Sequence, residues 1–350
     1  MNLDLSELDN DKRLLFKIPL QPIQGSRFQP TGFPGLGAAT FQTWDKHQTK
    51  DKHCLLVESA QSMANRLELT VWDEAANCLK PDVEGLSHVT VTRKDGSFLT
   101  DTILESHRLN SPYVLNAERD GELFFEVLGT RLNAFETGPI DRKALAKVLL
   151  ELDASSLIHG LFLAANINKK TLAGGRLRVA RALSAFIEAD GVRVAASGGV
   201  KNDHINPKGD TGNGYGNVPF ARDEFTAEHI TLYVNLDLAQ IRGYGLGSDV
   251  ERMLILLALY KLRALLDGNL RLRTACDLRL ATERVTATAP SDFELPPMEA
   301  LTNALKTAIQ TCSKEMTSTE VQYLSKIEPK QSNTKDTDTG SDEETESGED

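Results

Sequence analysis

The chain lacks paired cysteines, long apolar runs and the common catalytic signatures, and each shortage removes a class of protein. Its four cysteines (Cys54, Cys78, Cys276, Cys312) stand far apart with no CxxC spacing. That excludes a zinc ribbon and fits thiols kept reduced in a cytoplasm. No stretch approaches the ~20 apolar residues of a membrane helix, so no membrane partner is expected. The opening MNLDLSELDNDKR is acidic and has no apolar segment, so secretion is not expected either. Seven histidines show no HxxxH or HExxH spacing, and no resident metal is expected. GxSxG is missing, and the neighbours His53-Cys54 share a strand-like run that points them to opposite faces. GxxxxGK[ST] and the dinucleotide fingerprint are absent as well. No catalytic residue and no cofactor are therefore assigned.

What is present is a chain of 350 residues with 40% hydrophobic content, enough for two domains or one elaborated domain. The net charge of −11 argues against a polyanionic partner, but the charge is uneven. Residues 327–350 hold nine acidic and two basic residues, a net of −7. With no hydrophobic residue after Ile327, this tail is expected to be disordered. The body, 1–326, keeps only −4. Within it, Lys169 to Lys208 holds eight Lys/Arg against Glu188, Asp190 and Asp203, a net of +5. A polyanion responds to that local excess.

Periodicity predicts a strand at Leu14–Leu20, a helix over Ser59–Trp72 and a hairpin of Val89–Arg93 with Phe98–Ile103 around a type I′ Asp95-Gly96 turn. Asp120-Gly121 marks another turn. A helix capped by Asp141 runs to about Leu152, and Leu157–Ala165 has the length of a buried strand. Strands Leu183–Ala189 and Val192–Ala196 are joined at Asp190-Gly191, and a β-rich run follows at Ile230–Leu238. Ser248 and Glu251 form a capping box for a helix Asp249–Leu266 that Gly268 ends and that is apolar on most sides. A last helix spans Pro297–Cys312. Interleaved helices with antiparallel hairpins indicate an α+β fold, best matched by a ferredoxin-like or RRM-type sheet with large insertions.

Three segments are built for an anion. In the first, after strand one, Arg27 suits a phosphate and Phe28 a base, with Gln29 beside them; a surface arginine next to a core phenylalanine is the plain alternative. In the second, at a helix start, Ser62, Asn65 and Arg66 offer small polar groups near free N–H donors. In the third, Lys169, Lys170, Arg176, Arg178 and Arg181 lead to a loop with six glycines in 22 residues that carries Lys201, Asn202, His204 and Lys208. An ordinary solvated basic loop is the competing reading there. Asp190 is the one carboxylate in this region able to approach a phosphodiester, and its place at a turn already accounts for it.

RFQPTGFPGLGAA (Arg27–Ala39), LLVESAQSMANRLE (Leu55–Glu68), ILESHRLNSPY (Ile103–Tyr113), SAFIEADGVRVAASGGVKND (Ser184–Asp203) and GYGNVPFARDEF (Gly214–Phe225) resemble the RAMP-superfamily, Cas-seven-type backbone subunit (Csb family) of type I-G, formerly I-U, CRISPR systems. The resemblance covers roughly Leu14 to Ala289. It implies an RRM-like palm with a protruding thumb, and the basic, glycine-rich composition assigns that thumb to about 165–219. It also implies a non-catalytic subunit that binds CRISPR RNA, polymerises with further copies of itself, joins other Cascade subunits and meets the target DNA strand through guide pairing. His107 and Arg108, inside the third quoted motif, join the RNA-binding set. Related type III subunits cut RNA with a loop aspartate, which has no matching motif here; a superfamily ribonuclease is the alternative.

Overall fold

The computed structural model describes residues 3–32, 37–45, 50–135, 138–268 and 270–327. The acidic tail beyond Ile327 lies outside them. Strand β1 (Arg13–Pro22) alternates strictly: Leu14, Phe16, Ile18 and Leu20 are buried, while Arg13, Lys17, Pro19 and Gln21 are exposed. Each of those four apolar side chains contributes ~1.5–3 kcal/mol by leaving water. A hairpin of β2 (Thr40–Asp45) and β3 (Lys50–Glu58) leads into helix α1 (Ala60–Leu69), whose N-cap is Ser59. The helix stops at Leu69, short of the predicted Trp72, because Trp72 pairs with Leu79 in a short ribbon, β4 (Trp72–Asp73) with β5 (Cys78–Leu79).

An inserted region follows. It runs through β6 (His88–Arg93), β7 (Phe98–Asp101), α2 (Pro112–Leu115), β8 (Glu118–Arg119), β9 (Glu122–Leu123), α3 (Phe124–Arg131), α4 (Arg142–Leu152) and α5 (Ser155–His159). It ends with the small ribbons β10 (Leu161–Leu163), β11 (Asn166–Ile167), β12 (Lys170–Thr171) and β13 (Leu177–Val179). The chain then returns through β14 (Leu183–Asp190), β15 (Arg193–Lys201), β16 (Val218–Thr226) and β17 (His229–Asp237). After α6 (Leu238–Gly243) and α7 (Ser248–Asp267) come β18 (Leu270–Arg273), β19 (Cys276–Leu280), α8 (Met298–Thr311) and β20 (Ser318–Tyr323).

The main sheet has the order β18-β19-β1-β17-β14-β3-β2, and its neighbouring strands pair antiparallel. Its four central strands, β19-β1-β17-β14, reproduce a 4-1-3-2 order, with α1 and α7 as the two crossover helices. This is the ferredoxin-like arrangement inside an α+β fold. A second sheet, β7-β6-β20-β8-β9, lies in the insertion and takes its middle strand from the C-terminal part of the chain, parallel to β6. Helix α7 is buried over most of its length, from Val250 to Leu266. One of its buried residues is Lys261, whose ammonium lies 3.0 Å from both Ser155 Oγ and His159 Nε2.

The structure corrects several local expectations. Asp190-Gly191 does not close a hairpin, since β14 pairs with β17 and β3 whereas β15 pairs with β16. Of the two turn residues only Gly191 has a positive φ, 60°, and type I′ needs both. The same test separates the other two turns. Asp95-Gly96 joins β6 to β7 with only Gly96 left-handed, whereas Asp120 and Gly121 (φ 54° and 84°) make the genuine type I′ turn. Leu157–Ala165 is not one strand: it divides into the end of α5, a break at Gly160 and β10. A short apolar run buried on all sides has no periodicity to tell helix from strand. The capping box is also absent, because Gly247 occupies the N-cap of α7 and Ser248 is its first helical residue. Asp249 and Glu251 instead face the positive end of the helix dipole.

Candidate nucleic-acid interface

The hairpin β15–β16 pairs from Arg193↔Thr226 to Lys201↔Val218. No residue of β15 is buried, so neither of its faces joins a core. The tip is organised by Asp203. Its Oδ1 accepts the backbone N–H groups of Ile205 and Asn206 (2.9 Å each), and its Oδ2 accepts that of Gly216 (2.8 Å). These donors hold the Asp203 carboxyl below the usual carboxylate range. The turn leaves Ile205 97% exposed, with Lys201, Asn202 and His204 exposed around it. Of the segment 165–219, residues 193–219 fall on this hairpin. Residues 166–181 do not; they build the ribbons β11–β12 and β10–β13.

Where the hairpin meets the main sheet, Phe28 and Phe225 exchange backbone hydrogen bonds of 2.9 and 2.8 Å. Phe28 is 1% exposed, so it is a core residue and does not stack on a base. Arg27 beside it is exposed, with Nε 3.7 Å from Glu224. Gln29 Oε1 accepts from the Arg222 guanidinium (2.9 Å), which also lies 4.9 Å from the Phe220 ring. Across the same junction Asp190 Oδ1 contacts Lys52 Nζ at 2.6 Å and His229 Nδ1 at 3.0 Å. Burial opposes ionisation of Asp190, but Lys52 and His229 outweigh it and keep its carboxyl below the usual range. Gly191 suits this turn because its φ of 60° is a conformation that side chains disfavour.

In the helix-start segment, Arg66 is committed to the protein itself. Ser62 donates its backbone N–H to Ser59 Oγ, and Asn65 Oδ1 is buried without a partner. Arg66 spends its guanidinium on buried Glu58 (3.0 Å) and on the carbonyls of Leu272 (2.6 Å) and Arg271 (3.3 Å). Arg108 is 5% exposed and clamps Glu68 through two bonds of 2.6 Å. Arg66 and Arg108 are thus structural ties, whereas His107, next to Arg108, is exposed.

The basic strip is the more open region. Lys169 is exposed, and Lys170 reaches Glu126 (3.1 Å) and the Phe135 ring (5.0 Å). Arg176 donates to the carbonyls of Ala173 and Gly138. Arg181 donates to Ala60 O and Gln61 Oε1 at the start of α1. Arg178 instead lies over the Phe162 ring, 4.4 Å from its centroid. The sequence reading missed Phe162 because it placed that residue inside a buried strand. The alternation of Leu161 and Leu163 around it was the available signal.

The family model described as CRISPR-associated protein GSU0053 matches residues 14–194. A chain of a solved structure described as a CRISPR RNA-guided surveillance complex, pre-nicking, is 16% identical; the alignment covers 72% of this chain and 70% of that one, with a TM-score of 0.34. No curated protein matches.

Proposed function

Since the match over residues 14–194 shows that the chain belongs to the CRISPR-associated protein GSU0053 family, we propose that it is a non-catalytic backbone subunit that grips CRISPR RNA, polymerises along it beside other Cascade subunits, and leaves the guide bases free to pair with target DNA. The finer assignment to the type I-G Csb-type subunit belongs to this proposal. One observation carries it: a two-stranded hairpin, without a buried face on β15, stands off a ferredoxin-like palm and ends in a polar, basic tip around Ile205. A guide must expose its bases, so its carrier needs phosphate and 2′-OH contacts without sequence reading. Exposed Lys201, Asn202 and His204 suit that task. Ile205 suits a wedge that parts neighbouring bases. A loop that only connected two strands would not need a fully exposed isoleucine at the turn that Asp203 holds.

Arg27, Gln29, Lys169, Lys170, Arg176 and Arg178 extend the surface along which RNA would run. Incubation of the purified protein with labelled single-stranded RNA tests the proposal. A shifted band with full-length RNA supports it, and unshifted RNA contradicts it.

A ribonuclease is the second reading, and the Asp190–His229–Lys52 group favours it. A carboxylate on Nδ1 leaves the other ring nitrogen of exposed His229 free for proton transfer. RNA shortened by the wild-type protein but not by His229→Ala would select that reading.

A further inference from the structure

The β10–β13 ribbon has one face in the core and one in solvent. Leu161, Leu163 and Leu177 point inward and are buried. Phe162 and Arg178, directly opposite in register, point outward. Outward positions of a strand packed on one side ordinarily carry polar residues, yet Phe162 is 43% exposed. The guanidinium stacked on it is also unusual for this surface. Arg176 and Arg181 spend their donors on carbonyl and amide oxygens, and Lys170 is paired with Glu126. Among the described residues Arg178 has no hydrogen bond and no carboxylate partner. A second cation–aromatic contact lies nearby: Lys170, on the ribbon that Leu172–Gly175 joins to β13, is 5.0 Å from the Phe135 ring.

We propose that Phe162 and Arg178 form a stacking platform for one unpaired base of single-stranded nucleic acid. The base continues the guanidinium–phenyl stack, and the unspent Arg178 donors take the adjoining phosphate. The chemistry is that of single-strand binders, where an aromatic face accepts any base and a neighbouring cation tracks the backbone. Because a base paired with a target cannot leave its partner to stack here, the occupant is a nucleotide outside the guide–target duplex. The inference rests on the nucleic-acid reading above and adds a base-contacting site distinct from the hairpin.

The test uses the full chain and an unstructured RNA oligonucleotide containing 2-aminopurine, whose fluorescence is quenched when its base stacks. Wild-type protein should quench the probe on binding. Phe162→Ala should abolish the quench and weaken binding at least about fivefold, the lower bound for losing one base–aromatic stack. Phe162→Leu, which keeps apolar bulk without a π face, should behave the same way, while Phe162→Tyr should retain both quench and affinity. Arg178→Gln should lower the slope of log K against log salt by ~0.7, the value for one single-strand phosphate; Phe162→Ala should leave that slope alone. A DNA version of the probe should also be quenched, since a π face does not read the sugar, and quenching by RNA alone would overturn the stacking. Wild-type affinity and quench in both Phe162→Ala and Phe162→Leu would overturn it too. A wild-type protein that binds no oligonucleotide at all would instead sink the nucleic-acid reading.

Discussion

Arg108 offers the clearest separation between a residue that binds RNA and one that holds the fold. It joins the inserted region to α1 of the palm through two 2.6 Å bonds to Glu68, and both side chains are nearly fully buried. Burial pushes the Glu68 carboxyl up while Arg108 pulls it back down, so the pair balances desolvation against attraction. Replacing Arg108 by Met leaves Glu68 buried without its partner. Breaking a buried pair in this way costs ~3–5 kcal/mol. At ~2 °C per kcal/mol for a chain of this length, the melting temperature should fall by ~6–10 °C. The double variant Glu68→Met/Arg108→Met removes both charges and should recover most of that loss, because apolar replacement of a whole buried pair is often neutral. Differential scanning calorimetry of the four proteins measures the cycle. RNA affinity at 20 °C, where the variants remain folded, should match wild type. An unchanged melting temperature together with lost RNA binding would refute the structural role and restore Arg108 to the interface.

Replacing residues 202–217 by a two-residue Asn-Gly turn should leave the melting temperature within about 1 °C, since none of the removed side chains is core, while filament formation on guide RNA is lost; gel filtration with RNA reads it. Lys261 predicts a pH dependence. Burial pushes its ammonium down to about 8 from 10.5, with Glu68 and Asp153 opposing and Arg108 adding to the shift. The unfolded chain therefore binds more protons than the native one between about pH 8 and 10.5, and this contribution to stability rises with pH across that window. Lys261→Met should flatten the rise in melting temperature relative to wild type, and identical pH curves would disprove it. Truncation after Lys326 removes the −7 tail. It should raise affinity for non-cognate RNA at low salt, where charge acts over tens of ångströms, and leave the melting temperature unchanged; a filter-binding titration at two salt concentrations shows it.

The palm was legible wherever one face of an element had to be buried. Short apolar or β-rich runs located β1, β14 and β17, and the apolar density of α7 marked it as core. Interleaved helices and hairpins then sufficed for an α+β, ferredoxin-like assignment. Pairing between distant segments left no local trace. Nothing around Asp190-Gly191 says that the chain changes sheets there, because that depends on β15 pairing with β16 and β14 with β17 and β3, strands that lie elsewhere in the chain. Likewise, Arg108 reads as a surface cation until Glu68, 40 positions away, is found beside it. Phe28 looked available for stacking because its partner Phe225 lies on a strand nearly 200 residues later. Exposed polar positions such as Lys169, Lys201 and His204 were located from composition alone.

Co-expression of the chain with a CRISPR RNA, followed by purification and direct imaging, tests the central claim most directly. The account predicts RNA that copurifies at full length and particles in which several copies of the chain repeat along it. A protein that emerges as an RNA-free monomer, or one that emerges with its RNA cut, would contradict it.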